Sequence, residues 1–199
     1  MNTTAKALEK ALYATIEQAG PPDRDWFANF HYYLKEHTRR DMFIEQFSFS
    51  VPTKAAITQI AAFVGGCMLD IGAGTGIWSK LISMHGVHVH AIDNCQWKGT
   101  VSFEFGKWYP VERITGIKAV RKYRSDALML CWPPYATSMA TGVLKAFTGS
   151  RLVYIGEGSG GCTGDEAFHR MLETEWKEVD TISIPQWPGI HDYVMLYRR

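Results

Sequence analysis

Residues 66–94 contain two changes of hydrophobic period. A short apolar run suits a buried strand, the next apolar residues recur at helical spacing until Gly86, and a second apolar run stops at Asp93. The apolar positions of this stretch are Met68, Leu69, Ile71, Ile77, Leu81, Ile82 and the run 87–92. The pattern predicts a strand, a glycine-rich turn, a helix and a second strand with an acid at its tip.

The hydrophobic pattern before this unit is helical. The predicted helices cover 4–19, a stretch after Asp23 or Asp25, about 39–47, and a helix with Pro52 in its first turn that ends before Gly65. We therefore predict an N-terminal helical cap over 1–50 and a main domain over 51–199. Most aromatic side chains of the cap are expected to pack in the core, and the alternative is that they form a pocket wall.

After Asp93 strands and helices alternate again. The predicted strands lie within 108–114 and at 127–131, 151–155, 179–184 and 193–197, and the predicted helices are 116–123, 136–147 and a segment capped by Asp165. Because the connection 185–192 is too short for a helical crossover, the last two strands must run antiparallel. The expected fold class is α/β, with six parallel strands and one antiparallel strand in a C-terminal hairpin.

The turn of the first unit has the chemistry of a nucleotide-type site. Its sequence is Asp70-Ile71-Gly72-Ala73-Gly74-Thr75-Gly76. Glycines let the backbone approach a ligand, a helix N-terminus offers free N–H groups, and an acid at the next strand's tip can accept ribose hydroxyls. The dinucleotide fingerprint needs a third glycine where this chain has Ile77, so that fingerprint fails. A turn whose glycines serve only packing is the alternative.

The pattern D-x-G-x-G-x-G resembles the first motif of the Rossmann-type S-adenosylmethionine (SAM) methyltransferases. The resemblance implies that the turn wraps the methionine part of SAM and that the acid after the second strand holds the ribose. It places Asp70, Gly72, Gly74, Gly76 and Asp93 at the cofactor. A mainly parallel sheet that ends in a reversed hairpin is likewise typical of this class I family. The resemblance covers about 66–199, and the segments CWPPY, YIGEGSGGCTGDEAFH and IPQWPGIHDY also resemble a group of bacterial and fungal methyltransferase-like proteins.

The turn Trp132-Pro133-Pro134-Tyr135 follows a strand that is apolar on both faces. It resembles the fourth motif of amino-methylating enzymes, in which a polar residue precedes Pro-Pro-aromatic, but this chain has Trp132 at the polar position. Backbone carbonyls around Trp132 and Pro133 can still receive amine hydrogens, and the two aromatic rings can sandwich a planar molecule. We count Trp132 with the cofactor-binding residues and Tyr135 with the catalytic ones. A stiff loop that closes the sheet edge is the alternative.

Three loops are predicted to meet at the carboxyl edge of the sheet, where ligands bind in open α/β folds. They are 132–135, 157–162 and 186–192. Trp132, Tyr135 and Trp187 are expected to form apolar walls, and Glu157 and His191 are expected to be catalytic polar contacts. The glycine-rich stretch 156–164 suits a tight turn, a moving lid or a close approach to a ligand. For His191 the alternative is a loop histidine bonded to Asp192.

Composition and charge limit the partners and the surroundings that we expect for this protein. The net charge is +1 and charged residues make up 21%, so no strong field for nucleic acid is expected. The four cysteines lack paired spacing, which indicates reduced thiols and no metal site. No apolar run of membrane length is visible, so we expect a soluble, cytoplasmic protein whose oligomeric state is left open.

The sequence therefore predicts a SAM-dependent methyltransferase that acts on a small planar or aromatic acceptor. The first alternative is methylation of a nucleobase amine in nucleic acid, suggested by the Pro-Pro-Tyr turn. The second is a SAM-binding module without catalysis.

Overall fold

The computed structural model describes residues 3–21, 30–97, 99–135 and 137–199, with the side chains of 30–37 outside the description. The strands are β1 (Cys67–Ile71), β2 (His88–Asp93), β3 (Glu112–Arg113), β4 (Ala127–Cys131), β5 (Arg151–Gly156), β6 (Lys177–Ser183) and β7 (Tyr193–Arg198). The helices are α1 (Thr3–Ala19), α2 (Phe30–Gln46), α3 (Lys54–Val64), α4 (Ile77–Ser83), α5 (Gly116–Lys122), α6 (Met139–Ala146) and α7 (Glu166–Glu175).

The strands form one sheet in the order β3-β2-β1-β4-β5-β7-β6. The neighbouring strands from β3 to β5 in this order all pair in parallel. Strand β7 runs antiparallel to both β5 and β6. Six strands therefore share one direction and β7 opposes them, which confirms the predicted fold class. The strand order reverses between β1 and β4, and ligands bind in open α/β sheets at such a reversal, beyond the carboxyl ends of the strands.

Apolar side chains cover both faces of the sheet. One buried cluster joins α1, α2, α3 and α4 to one face, and a second joins α5, α6 and α7 to the other. Leu12, Ile16, Phe43 and Phe47 belong to the same cluster as Met68 of β1. The described aromatic residues of the N-terminal helices thus pack largely in the core, and the domain boundary at residue 50 stays a prediction.

Several helix boundaries differ from those predicted. Residues 39–46 are the end of the longer helix α2, and the predicted helix start after Asp23 or Asp25 lies outside the described residues. Helix α3 begins after Thr53, whose hydroxyl accepts the N–H of Ala56 at 3.1 Å, so Pro52 precedes the cap and does not enter the first turn. A side-chain oxygen is a better N-cap than proline because it satisfies a free helix N–H.

Asp165 occupies the N-cap position of α7, as predicted, but its side chain makes no capping bond. Its carboxylate instead accepts the hydroxyl of Thr141 at 2.6 Å, which ties α7 to α6. The predicted third strand is confirmed as a two-residue strand, β3, inside the expected range 108–114.

Candidate functional site

The glycine turn between β1 and α4 adopts a conformation that side chains resist. Gly72, Gly74 and Gly76 have φ angles of 82°, 54° and 80°, all in the left-handed region that favours glycine. The backbone N–H groups of Gly72 and Ala73 both donate to the carbonyl of Ile92, at 2.9 and 3.0 Å. The turn is thereby fixed over the end of β2.

Gly76 has a packing role within this turn. A Cβ atom there would lie 2.9 Å from the backbone oxygen of Tyr109, so no other residue fits without displacing the chain. The N–H groups of Gly106 and Trp108 donate to the carbonyls of Gly74 and Thr75 at 3.0 and 2.9 Å. The loop 94–111 is therefore fastened onto the turn, and Gly76 itself does not line the cavity described next.

A cavity of about 380 Å³ opens above the turn at the carboxyl ends of β1 and β4. Its wall at the glycine turn includes Asp70, Gly72, Ala73, Gly74, Asp93 and Asn94. Its wall at the end of β4 includes Cys131, the last residue of that strand, and the following residues Trp132, Pro133 and Pro134. The volume lies within the range of small-molecule sites in proteins.

Asp93 meets the turn directly. One carboxylate oxygen accepts the N–H of Gly74 at 3.1 Å and the other accepts the N–H of Cys95 at 2.8 Å. Burial raises the pKa of Asp93 against the opposing effect of these backbone bonds. The carboxylate keeps lone pairs for further donors, and it lines the cavity at the tip of β2 as predicted.

Asp70 is 1% exposed and also lines the cavity. One of its oxygens accepts the hydroxyl of Ser79 at 2.6 Å, and the other has no hydrogen-bond partner. Burial raises the pKa of Asp70 to about 7, the Ser79 bond opposes this, and the charge of Asp93 adds to it. A free carboxylate oxygen at this depth is a ready acceptor for a ligand donor.

Aromatic rings form another wall of the cavity. The ring centre of Phe49 lies 5.5 Å from that of Trp132, and the two rings are stacked. The centres of the Trp97 and Phe103 rings lie 5.3 and 6.3 Å from that of Phe49, and the centres of the Phe103 and Phe105 rings are 4.9 Å apart. All five rings line the cavity. Three of them come from the loop 94–111, where the sequence showed aromatic density without a period from which to infer their direction.

Trp132 is held by its indole N–H and by its backbone. The indole donates to the hydroxyl of Ser50 at 2.6 Å and to the carboxylate of Asp192 at 3.1 Å. The residue has φ 50°, an uncommon conformation for a bulky side chain. The expected sandwich with Tyr135 is not formed, because Tyr135 is 62% exposed and does not line the cavity. The Pro133 carbonyl, expected to receive an amine, already accepts the N–H of Gly164 at 2.8 Å.

The three predicted loops do meet, but of the three only the loop 132–135 lines the cavity. Glu157 is buried, and its carboxylate accepts the backbone N–H groups of Cys162 at 2.7 Å and His191 at 2.8 Å. Neither Glu157 nor His191 lines the cavity. In this structure Glu157 fastens two loops together, which does not support the catalytic roles expected for it and for His191.

One further expectation, that Trp187 forms a wall of the cavity, differs from the structure. Trp187 is 2% exposed, and its ring lies 5.5 Å from that of Phe43, so it belongs to the core and does not form a wall of the cavity. Glu112, the first residue of β3, accepts hydrogen bonds from Lys122 at 2.6 Å and from the hydroxyl of Tyr123, and it does not line the cavity. Ile114, two residues beyond it, lines the cavity instead.

Solved structures share this fold. A didemethyltoxoflavin N1-methyltransferase from Burkholderia thailandensis, with its acceptor and S-adenosylhomocysteine (SAH) bound, matches with a TM-score of 0.55 and 18% identity over 90% of this chain and 93% of its own. A magnesium protoporphyrin IX methyltransferase from Synechocystis PCC 6803 with bound SAM matches with a TM-score of 0.53 and 12% identity, over 100% of this chain and 98% of its own. A SAM-dependent methyltransferase from Archaeoglobus fulgidus matches with a TM-score of 0.50 and 14% identity, over 86% of this chain and 100% of its own.

These matches confirm the class I methyltransferase fold. No protein-family model and no curated protein sequence matches the chain. Within the described ranges, none of the helices combines the length and the apolar character needed to cross a membrane.

Proposed function

We propose that this protein, whose fold is that of the class I methyltransferases, transfers a methyl group from SAM to a small planar or aromatic acceptor. The observation that carries the proposal is the meeting of the glycine turn, the Asp93 carboxylate and the aromatic wall in one cavity. A turn of left-handed glycines beside a strand-tip acid suits a nucleoside with an amino-acid tail.

Different residues of the cavity would bind the cofactor and the acceptor. Asp93 is placed to accept ribose hydroxyls, and the free oxygen of Asp70 is placed to accept a donor from the ligand's tail. When bound, SAM supplies an electrophilic sulfonium methyl, so the protein mainly has to hold the acceptor in line with it. The rings of Phe49 and Trp132 offer a flat apolar surface that orients a planar acceptor and excludes water.

The cavity places few groups where they can take a proton from the acceptor. In the part of the chain that the structure describes, the ionisable side chains that line it are Asp70, Asp93 and Cys131. Burial raises the pKa of Cys131 well above its ordinary value, so its thiol stays protonated. This supports an acceptor that is nucleophilic without a strong base and that releases its proton to water.

The proposal predicts that Asp93→Ala weakens binding of SAM and SAH by about 1–3 kcal/mol, because the variant leaves ribose hydroxyls without an acceptor. Isothermal titration calorimetry measures this directly, with Asp180→Ala on the exposed edge strand β6 as the control that keeps wild-type affinity. Tight binding of NAD together with no heat from SAM or SAH would contradict the assignment.

A further inference from the structure

A buried polar network surrounds the indole N–H of Trp132. Ser50 precedes α3, Trp132 follows β4 and Asp192 precedes β7, so the three residues come from distant parts of the chain. The Ser50 hydroxyl donates to the Asp192 carboxylate at 2.5 Å, and the indole N–H donates to both of them, at 2.6 and 3.1 Å. Both Ser50 and Asp192 are almost fully buried. The network fixes the plane of the indole.

The burial of Asp192 is costly for a residue that only fastens a loop. Its second carboxylate oxygen has no hydrogen-bond partner, and within the described residues no Lys, Arg or His forms an ion pair with it. Burial raises the pKa of Asp192, while its bonds to Ser50 and Trp132 and the charge of Arg40 act against this rise. A carboxylate that is buried without an ion pair lowers the stability of the fold.

The network acts on the electronic character of the indole. A carboxylate that accepts the indole N–H pushes electron density into the ring, since hydrogen bonds polarise their partners in a low dielectric. An electron-rich ring face attracts cations. The guanidinium of Arg40 lies 5.2 Å from the centre of this ring, and the Asp192 carboxylate offsets its positive charge beside the cavity.

Trp132 shares its cavity with the glycine turn. Strand β4, which it follows, is the direct neighbour of β1, which leads into the turn. Phe49 stacks on Trp132 and contacts Phe103, whose ring lies 3.4 Å from the position of a Cβ atom at Gly74. A ligand that spans the turn and the aromatic wall therefore brings its central atoms towards the indole.

We propose that Asp192 and Ser50 are positioning residues that fix and polarise the Trp132 indole, so that the cavity prefers the cationic sulfonium of SAM to the neutral thioether of SAH. The inference rests on the proposed function, because it takes SAM as the ligand. Its consequence for the reaction is that loss of the positive charge on methyl transfer weakens the hold on the product and favours its release.

The test compares three ligands of nearly the same shape by calorimetry on the full chain. SAM carries a sulfonium, sinefungin carries a protonated amine in its place, and SAH carries neither. Asp192→Asn removes the charge and keeps a hydrogen-bond acceptor, whereas Trp132→Phe keeps a ring and removes the N–H. In both variants we expect the ratio of the SAH Kd to the SAM Kd to fall about threefold or more, with sinefungin following SAM.

Two matched variants control for general damage. Asp165→Asn removes another carboxylate that accepts a hydroxyl, and Trp176→Phe removes another indole beside an arginine, Arg199 at 4.7 Å, away from the cavity. Both should keep the wild-type ratio. An unchanged ratio in Asp192→Asn and Trp132→Phe, or equal weakening of all three ligands, would overturn the inference and leave SAM binding intact. If the wild-type protein bound none of the three, the proposed function would fail first.

Discussion

Asp70 is a buried ionisable residue in the lining of the cavity. Its carboxyl is buried beside Asp93, and one of its oxygens has no partner. A donor on the amino-acid tail of a ligand would satisfy that oxygen and favour the charged form. A ligand that donates to this oxygen should therefore lower the pKa of Asp70.

The raised pKa of Asp70 predicts how the stability of the protein depends on pH. The pKa of Asp70 is about 7 in the folded protein, whereas its ordinary value, which applies to the unfolded chain, is 3.8. Between these two pH values the folded state binds a proton that the unfolded state has released. Stability of the unliganded protein should then fall as the pH rises from about 4 to about 7, because ionising the buried carboxyl favours unfolding. Asp70→Asn keeps an acceptor for Ser79 and removes the titration.

Thermal melting at a series of pH values checks this prediction. The melting temperature of Asp70→Asn should exceed that of the wild type by a margin that grows up to pH 7 and then levels off. A margin that is the same at pH 5 and at pH 7.5 would show that Asp70 does not titrate in this range.

Residue types alone could place Asp70, Asp93 and the three glycines at the carboxyl end of a strand, because each sits at a fixed point of the strand–turn–helix pattern. They could not separate Trp132 from Trp187, since both follow strands at the same edge of the sheet. Packing separates them. Trp187 is covered by Phe43 from α2, and Trp132 is turned towards the cavity by Ser50 and Asp192.

At the scale of elements, the glycine-rich loop 156–164 is fastened at several points. The Glu157 carboxylate accepts the N–H groups of Cys162 and His191, and the Thr163 hydroxyl accepts the N–H of Glu157 at 2.8 Å. Burial would raise the pKa of Glu157, but the hydrogen bonds that its carboxylate accepts from Cys162 and His191 outweigh this effect, and the pKa lies below its ordinary value. These contacts favour a fixed turn over the moving lid that its glycines suggested.

We predict that Glu157→Gln destabilises the protein by about 1–3 kcal/mol, because an amide replaces a carboxylate that accepts two backbone N–H groups. Hydrogen exchange should become faster at the amides of Cys162 and His191 and stay unchanged in β1 and β4. Glu166→Gln, which removes an exposed ion pair with Arg170, is the matched control and should have little effect. Unchanged exchange at both amides would mean that Glu157 does not fasten the loop.

The elements also mark where sequence periodicity stops being informative. Strand β4 follows from a continuous apolar run, and its predicted bounds are those observed. Strand β3 has only two residues, which is too short for a period, and the loop 94–111 has none. The direction of Phe103 and Phe105 is instead set by the hydrogen bonds of Gly106 and Trp108 to the glycine turn, and these depend on the assembled fold.

At the scale of the whole molecule, the cavity depends on parts of the chain that are far apart. The link between α2 and α3 supplies Phe49, the loop after β2 supplies Trp97 and Phe103, and Trp132 follows the end of β4. The predicted N-terminal cap shares a core with the sheet and also contributes to the wall of the site. Folding of the whole chain and formation of the site are therefore coupled.

The structure of the protein crystallised with SAH is the most direct test of the account. We expect the ribose hydroxyls on the Asp93 carboxylate, the amino-acid tail against the glycine turn near the free oxygen of Asp70, and the thioether sulfur facing Trp132. SAH bound outside this cavity, or bound inside it with Asp93 free of the ribose, would contradict the account.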